Sequence, residues 1–421
     1  AAIKTDGSVV TWGYADYGGD SSSVNLSSGV SSIVSNNMAF AALKEDGSVV
    51  TWGYGSNSSD SYNYGGDSSS VNLSSGVSSI VGTDLAFAAM KTDGSVVTWG
   101  RDFYGGDSSS VESSLSSGVS SIIGTDYAFA AIKTDGSVVT WGYGSNSSDG
   151  YNFGGNSASV ADSLTNVSSI VSTNSAFAAL KEDGSVVTWG FGSNSSDHSN
   201  YGGDSSSVAS SLSSGVSSIV GAKYAFAALK EDGSVVTWGH SSYGGDSSTV
   251  DLTNVSSIVS NGSAFVAIKE DGSVVTWGGD NRGGDSSSVN LTNVSSIVGT
   301  GSAFAAIKED GSVVTWGFDS FGGDSSSVQN KLTEKTLHTY TIIDAVPNNE
   351  PTGDVLITGT TTQGQTLTAV TSALADVDGL GSLSYQWVRD GSDISGANSS
   401  TYSLTQSDIG NSITVKVSYT D

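Results

Sequence analysis

The chain contains no cysteine, only two prolines and three histidines, and just 15 basic residues against 42 acidic ones in 421 positions. The lack of cysteine excludes disulfides, thiolate metal sites and cysteine nucleophiles, while leaving the compartment open. The shortage of Lys and Arg leaves a formal charge of −27, divided as −21 over residues 1–345 and −6 over residues 346–421. Both parts therefore repel phosphate backbones and anionic headgroups, which excludes nucleic acid and direct membrane insertion among the partners. The acidity itself reads as a solubility device, suited to salty surroundings that screen the self-repulsion. No run is apolar or long enough to cross a bilayer as a helix, and no stretch sustains a 3.6-residue hydrophobic period, so helices should be scarce. Catalytic sets are missing as well. His198, His240 and His338 stand alone, and there is no nucleophile elbow, P-loop, HExxH or zinc spacing. No catalytic residue is assigned, and the expected class is not an enzyme.

What is abundant is β-forming and small. Glycine contributes 55 residues and hydrophobic residues 36 %, and together they reach the ordinary globular range. The octapeptide DGSVVTWG occurs eight times, with Trp12, Trp52, Trp99, Trp141, Trp189, Trp238, Trp277 and Trp316 spaced 39 to 49 residues apart. A period near forty in such residues points to a propeller blade or a solenoid turn. Residues 78–111 show one period. They offer strands at 78–81, 86–91 and 96–99, an Asp93-Gly94 hairpin turn, and a weak outer strand at 108–111. Four strands per period is the content of a propeller blade. Runs such as Ala-Phe-Ala-Ala and Val-Val-Thr-Trp do not alternate between apolar and polar, so both sheet faces should be covered, with small Ala of one blade opposite Trp of the next.

The ordered pattern GVSSIV, AFAALKEDGSVVTWG, YGGD resembles the regulator of chromosome condensation repeat, in the short form of bacterial members that include a secreted β-lactamase inhibitor. The resemblance covers residues 1 to about 330 and implies a β-propeller of seven blades. It departs where the family often carries His after the first strand, since this chain has Met38-Ala39-Phe40 or Tyr127-Ala128-Phe129 there. Eight hairpins but seven SSIV-type strands are present; eight blades follow if Leu337–Asp344 supplies the missing strand and closes the ring.

The two prolines, Pro347 and Pro351, mark a linker over 345–354 between the propeller (1–344) and a small module at 355–421. That module carries five strand-like runs and a mid-strand Trp387. It resembles the immunoglobulin-like modules of large bacterial surface and adhesin proteins, which implies a β-sandwich and an extracellular or cell-surface setting. Ala1 falls inside a repeat and Asp421 falls short of a last strand, so the chain is read as part of a longer multidomain protein. The expected fold class is therefore all-β, a propeller of four-stranded blades followed by a sandwich.

Candidate sites lie in the segment between Trp-Gly and Gly-Gly. It has four residues in five units and eleven in three, Tyr54–Tyr64, Tyr143–Phe153 and Phe191–Tyr201. Equivalent repeats should present these loops on one rim, where rings supply area and small polar groups supply hydrogen bonds. The candidate partner-binding residues are Tyr54, Asn57, Asp60, Tyr62 and Tyr64; Tyr143, Asn146, Asp149, Tyr151 and Phe153; and Phe191, Asn194, Asp197 and Tyr201. The expected partner is a protein or glycan on another surface. The competing functions are a secreted protein–protein inhibitor and a nucleotide exchange factor for a small GTPase. No cofactor is expected. Asp376 and Asp378 resemble half of a calcium loop, and the Asp of each GGD segment (Asp20 to Asp324) invites a calcium ring. Against the ring, Asp commonly serves turns as an acceptor of backbone N–H groups.

Overall fold

The computed structural model describes residues 1–55, 62–144, 150–192, 200–328, 332, 352–375 and 381–419. The chain is all-β and divides into two compact units, Ala1–Lys335 and Thr336–Asp421. No helix among the described residues is long and apolar enough to cross a membrane.

The first unit is a β-propeller. Among the described residues its blades are seven three-stranded antiparallel sheets, preceded by a two-stranded hairpin that pairs Ala2–Ile3 with Val9–Val10. One blade runs Val77–Gly82, Ala86–Lys91, Val96–Gly100, with Phe87 opposite Trp99 and Ala88 opposite Thr98. The Asp-Gly turn that joins the last two strands closes because Gly94 takes φ +75°, a left-handed conformation that costs glycine little. Asp93 locks the same turn, accepting from the Ser95 N–H at 2.9 Å and the Ser95 hydroxyl at 2.6 Å. First strands of successive blades neighbour one another and so stand nearest the axis.

Blades are held face to face by one repeated joint. Along the middle strand, Ala86 and Ala88 face one neighbour together with Phe129 and Trp141 of the next blade, while Phe87 and Ala89 pack with Ala39 and Ala41 of the preceding one. Alternation therefore persists, with both faces buried, and the small side chains of one blade accept the large rings of another. Each Trp stacks on the Phe of its own blade, for instance Trp189 on Phe177 at 5.2 Å. Its indole N–H donates to a Gly-Gly carbonyl of the preceding unit, Trp99 to Gly65 at 3.0 Å and Trp189 to Gly154 at 3.1 Å. The glycine is required: a methyl group at Gly65 would stand 2.5 Å from the Phe87 ring. Among the described residues seven such joints run from Trp52 to Trp316, and Trp12, 65 % exposed, makes none with them.

One expectation is corrected here. Blades have three strands rather than four: the expected outer strand at 108–111 is a turn of 3₁₀ helix over Ser109–Val111. Asp107 captures the Ser109 N–H at 2.8 Å and Val111 N–H returns to Ser108 O, so those donors are spent locally and no ladder forms. The lysines ahead of the Asp-Gly turns have partners of two kinds. Among the described residues Lys269 pairs with Asp251 at 2.9 Å, while Lys133 and Lys230 donate to the carbonyls of Ser114 and Ser211. The segment Leu337–Asp344, proposed to complete a blade, lies outside the described residues.

The second unit is a sandwich of two three-stranded sheets. Leu356–Thr358, Thr366–Val370 and Thr401–Ser403 form one; Ser392–Asp393, Ser384–Arg389 and Ile413–Ser418 form the other. Fully buried Trp387 fills the core against Leu367, Ala369 and Leu404. Beside it, burial works to raise the Asp408 carboxyl, but the Thr405 N–H and hydroxyl, the Tyr402 hydroxyl and Arg389 outweigh it and hold the group at about 2.

Candidate functional site

The described parts of the segments between Trp-Gly and Gly-Gly follow the third strands on one side of the propeller, and their bases are of two kinds. In the long loops an Asn near the end staples the chain: Asn63 Oδ1 accepts from Gly65 N–H at 2.8 Å while its amide donates to Asp67 O at 2.6 Å. Asn152 and Asn200 repeat the arrangement. Short loops instead close through one 3₁₀ turn, as in Ala15–Tyr17, Asp102–Tyr104 and Ser241–Tyr243.

These bases bring aromatic rings of successive units into contact. Tyr54 and Tyr64 lie 4.9 Å apart, with Tyr17 at 6.1 Å from Tyr54, and the Arg101 guanidinium sits 4.0 Å over Tyr62. Tyr143 meets Phe153 edge-on at 5.0 Å; Phe191 stacks on Phe153 at 5.0 Å and on Tyr201 at 4.6 Å. Tyr151 stacks on Phe191 at 5.8 Å. Tyr201 continues to Tyr224 at 4.3 Å, and Tyr224 to Tyr243 at 4.9 Å. The result is an aromatic band crossing several blades on one side, with Tyr14, Tyr17, Tyr62, Phe103 and Tyr151 exposed. The eight aromatic candidates all fall in it. Asn57, Asp60, Asn146, Asp149, Asn194 and Asp197 lie outside the described residues, as do Asp376 and Asp378.

The GGD aspartates act as turn acceptors. Each takes the N–H of the serine two residues on, as Asp20 does from Ser22 at 2.8 Å and Asp285 from Ser287 at 2.8 Å. Among the described residues no three His, Cys, Asp or Glu side chains gather closely enough to hold a metal ion.

A second feature lies on the axis. The turns after the first strands surround a polar cavity of about 790 Å³. Successive turns are linked by backbone bonds: Asn37 N–H to Asp84 O, Asp84 to Asp126, Asp126 to Asn174, Asn174 to Lys223, and Lys223 to Gly262, all between 2.8 and 3.1 Å. Residues at that linked position line the cavity, with Gly301 standing in the seventh turn. The Asp126 carboxyl is pushed up to about 6, first by burial and then by Asp84, and Asn174 partly offsets this with a 2.6 Å hydrogen bond. Asp84 is raised by burial too, against the Asn37 side chain and the charge of Lys223. Burial and these two acids together drive the Tyr127 phenol to about 12, so it stays a protonated donor. Tyr127 and Tyr224 thus join the aromatic band directly after the axial residues Asp126 and Lys223 in sequence.

Reading the loops alone missed the axial residues. A signal was available: between near-identical strands the three-residue turn varies from unit to unit, and its linked position changes charge, from Asn to Asp to Asn to Lys to Gly.

No protein-family model matches the chain, and no curated protein matches it in sequence. Solved structures do match over much of their length. The ectodomain of the Physcomitrella patens receptor kinase CR4 shares 16 % identity at a TM-score of 0.35, covering 67 % of this chain and 71 % of that one. Yeast RCC1 (Prp20), solved with Kap60, shares 15 % at 0.36, covering 65 % and 79 %. The CRINKLY WD40 ectodomain of Arabidopsis thaliana ACR4 shares 17 % at 0.35, covering 69 % and 95 %. These are partial likenesses, and the fold rests on the sheets and joints described above.

Proposed function

We propose that the chain is a non-enzymatic recognition module of a secreted or cell-surface bacterial protein, binding glycan or protein through the aromatic band of the propeller rim. The observation that carries this reading is the band itself. Its rings come from separate loops of consecutive blades, lie within stacking distance of one another, and leave five large aromatics exposed on a rigid scaffold. Exposed aromatics placed this way suit sugar rings or apolar side chains, since each offers wide contact area at little cost in rotamer freedom. The extracellular setting rests on the C-terminal module, whose YQW strand and buried Trp387 resemble surface-protein immunoglobulin-like modules.

The test uses the full chain and a variant whose three long loops are cut to four residues. Wild type should bind on a glycan array or recover a partner from secreted and cell-surface fractions, and the variant should lose that binding. Equal binding by both proteins overturns the role of the loops.

A further inference from the structure

We infer that the axial cavity binds a small zwitterion, an unblocked amino acid or short peptide, with its ammonium group between Asp84 and Asp126 and its carboxylate toward Lys223 and Arg282. The site takes Arg282 from a short loop but nothing from the three long ones, and it does not depend on the function proposed for the aromatic band.

Its charges come from different turns, and the Lys223 charge reaches both the Asp84 and the Asp126 carboxyl without cancelling the effect of their burial. Asp84 and Asp126 occupy adjacent turns, while Lys223 stands two turns beyond Asp126 and Arg282 is held one turn further by Asn261, whose amide donates to the Arg282 carbonyl at 2.5 Å. Gly262 and Gly301 add no side chain to the remaining arc, which leaves room within a volume typical of small-ligand pockets, roughly 300–1,000 Å³. The two carboxylates repel each other in a half-buried site, so they favour a ligand that brings positive charge. Asp126 uses one oxygen on Asn174, and a carboxylate has further lone pairs to offer.

Other ligand classes fit less well. A divalent cation would find two carboxylates and, among the described residues, no third anionic ligand, with two cationic side chains in the same cavity. A lone anion would face the acid pair. A neutral sugar would add nothing to the partial counter-charge that Lys223 already gives the acid pair. A ligand carrying both signs meets each wall with its opposite.

The test is saturation-transfer NMR of the full chain with a mixture of unblocked Gly-Xaa dipeptides, the same mixture N-acetylated, and the same mixture C-amidated. The unblocked mixture should bind, and each blocked one should bind about tenfold more weakly or worse, the loss of one charge-assisted contact. D126N and K223N should each weaken binding to a similar degree. Both variants install the residue that Asn37 and Asn174 already provide at this position, so the turn tolerates them. Binding should also weaken as pH falls below about 6, where Asp126 takes up a proton. No saturation transfer at millimolar peptide, equal binding of blocked and unblocked mixtures, or indifference to both substitutions would overturn the inference. The loop-shortened variant should retain dipeptide binding, which separates this site from the rim.

Discussion

Glycine carries two separate duties in each repeat, and substitution tells them apart. Gly272 in an Asp-Gly turn has φ +78° with open space where a side chain would be, so Gly272→Ala meets only the left-handed backbone penalty, about 1 kcal/mol. Gly65 has φ +106° and a phenylalanine ring 2.5 Å from the position of an added methyl, so Gly65→Ala adds a steric clash, and the total should reach about 2–4 kcal/mol. Urea titration of both variants checks the order; equal midpoints would refute the socket role of the Gly-Gly pair. The first duty was legible, because Asp-Gly between two β-patterned runs signals a turn by itself. The second was not, since the ring that needs the space comes from another blade, 22 residues on in the case of Phe87. For the same reason Asp84, set in a Gly-Thr-Asp turn, reads as an ordinary turn residue in sequence, because its partners come from other blades.

At the scale of the blade, stability resides in the joint between small and large side chains. Ala178 is fully buried against Phe226 and Trp238 of the next blade, so Ala178→Leu overfills a closed space and should cost about 1–3 kcal/mol. Trp189→Phe keeps an aromatic ring near Phe177 but removes the bond to Gly154, and should cost about 1–2 kcal/mol. Thermal denaturation of the two variants reads both effects, and a Trp189→Phe protein as stable as wild type would remove the indole bond from the account. Three strands of the blade could be read from runs such as AFAALK and VVTWG, whose unbroken apolar character matches a sheet covered on both faces. The fourth could not, because Ser-Ser-Ser-Val has the residues of a strand while the preceding Asp diverts its N–H groups into a turn.

The molecule as a whole carries its excess acid in two populations that answer pH in opposite ways. Turn carboxylates such as Asp93 are held below their usual range by the Ser95 hydroxyl and N–H; their contribution is present above the unfolded value of about 3.9 and is lost as acidity increases past it. Asp126 is the reverse case, raised to about 6, so it opposes folding at neutral pH and that opposition fades as the group protonates. Between pH 7 and 5 the melting temperature of wild type should therefore gain on that of D126N, and below about pH 4 both should fall. A constant difference between the two proteins across that range would refute the axial assignment. With a formal charge of −27, raising salt from about 20 mM to about 500 mM should also lift the melting temperature by screening self-repulsion, as scanning calorimetry can show.

Every joint between blades is made by the same plug and the same receptacle, and the plug always points back toward the unit before it. Whole repeats are therefore interchangeable cassettes: one could be moved past another with its junctions intact while the succession of rings on the rim is rewritten. A scaffold of this kind separates the grammar of assembly from the vocabulary of contact, so new surfaces can arise by recombination without redesign of the core.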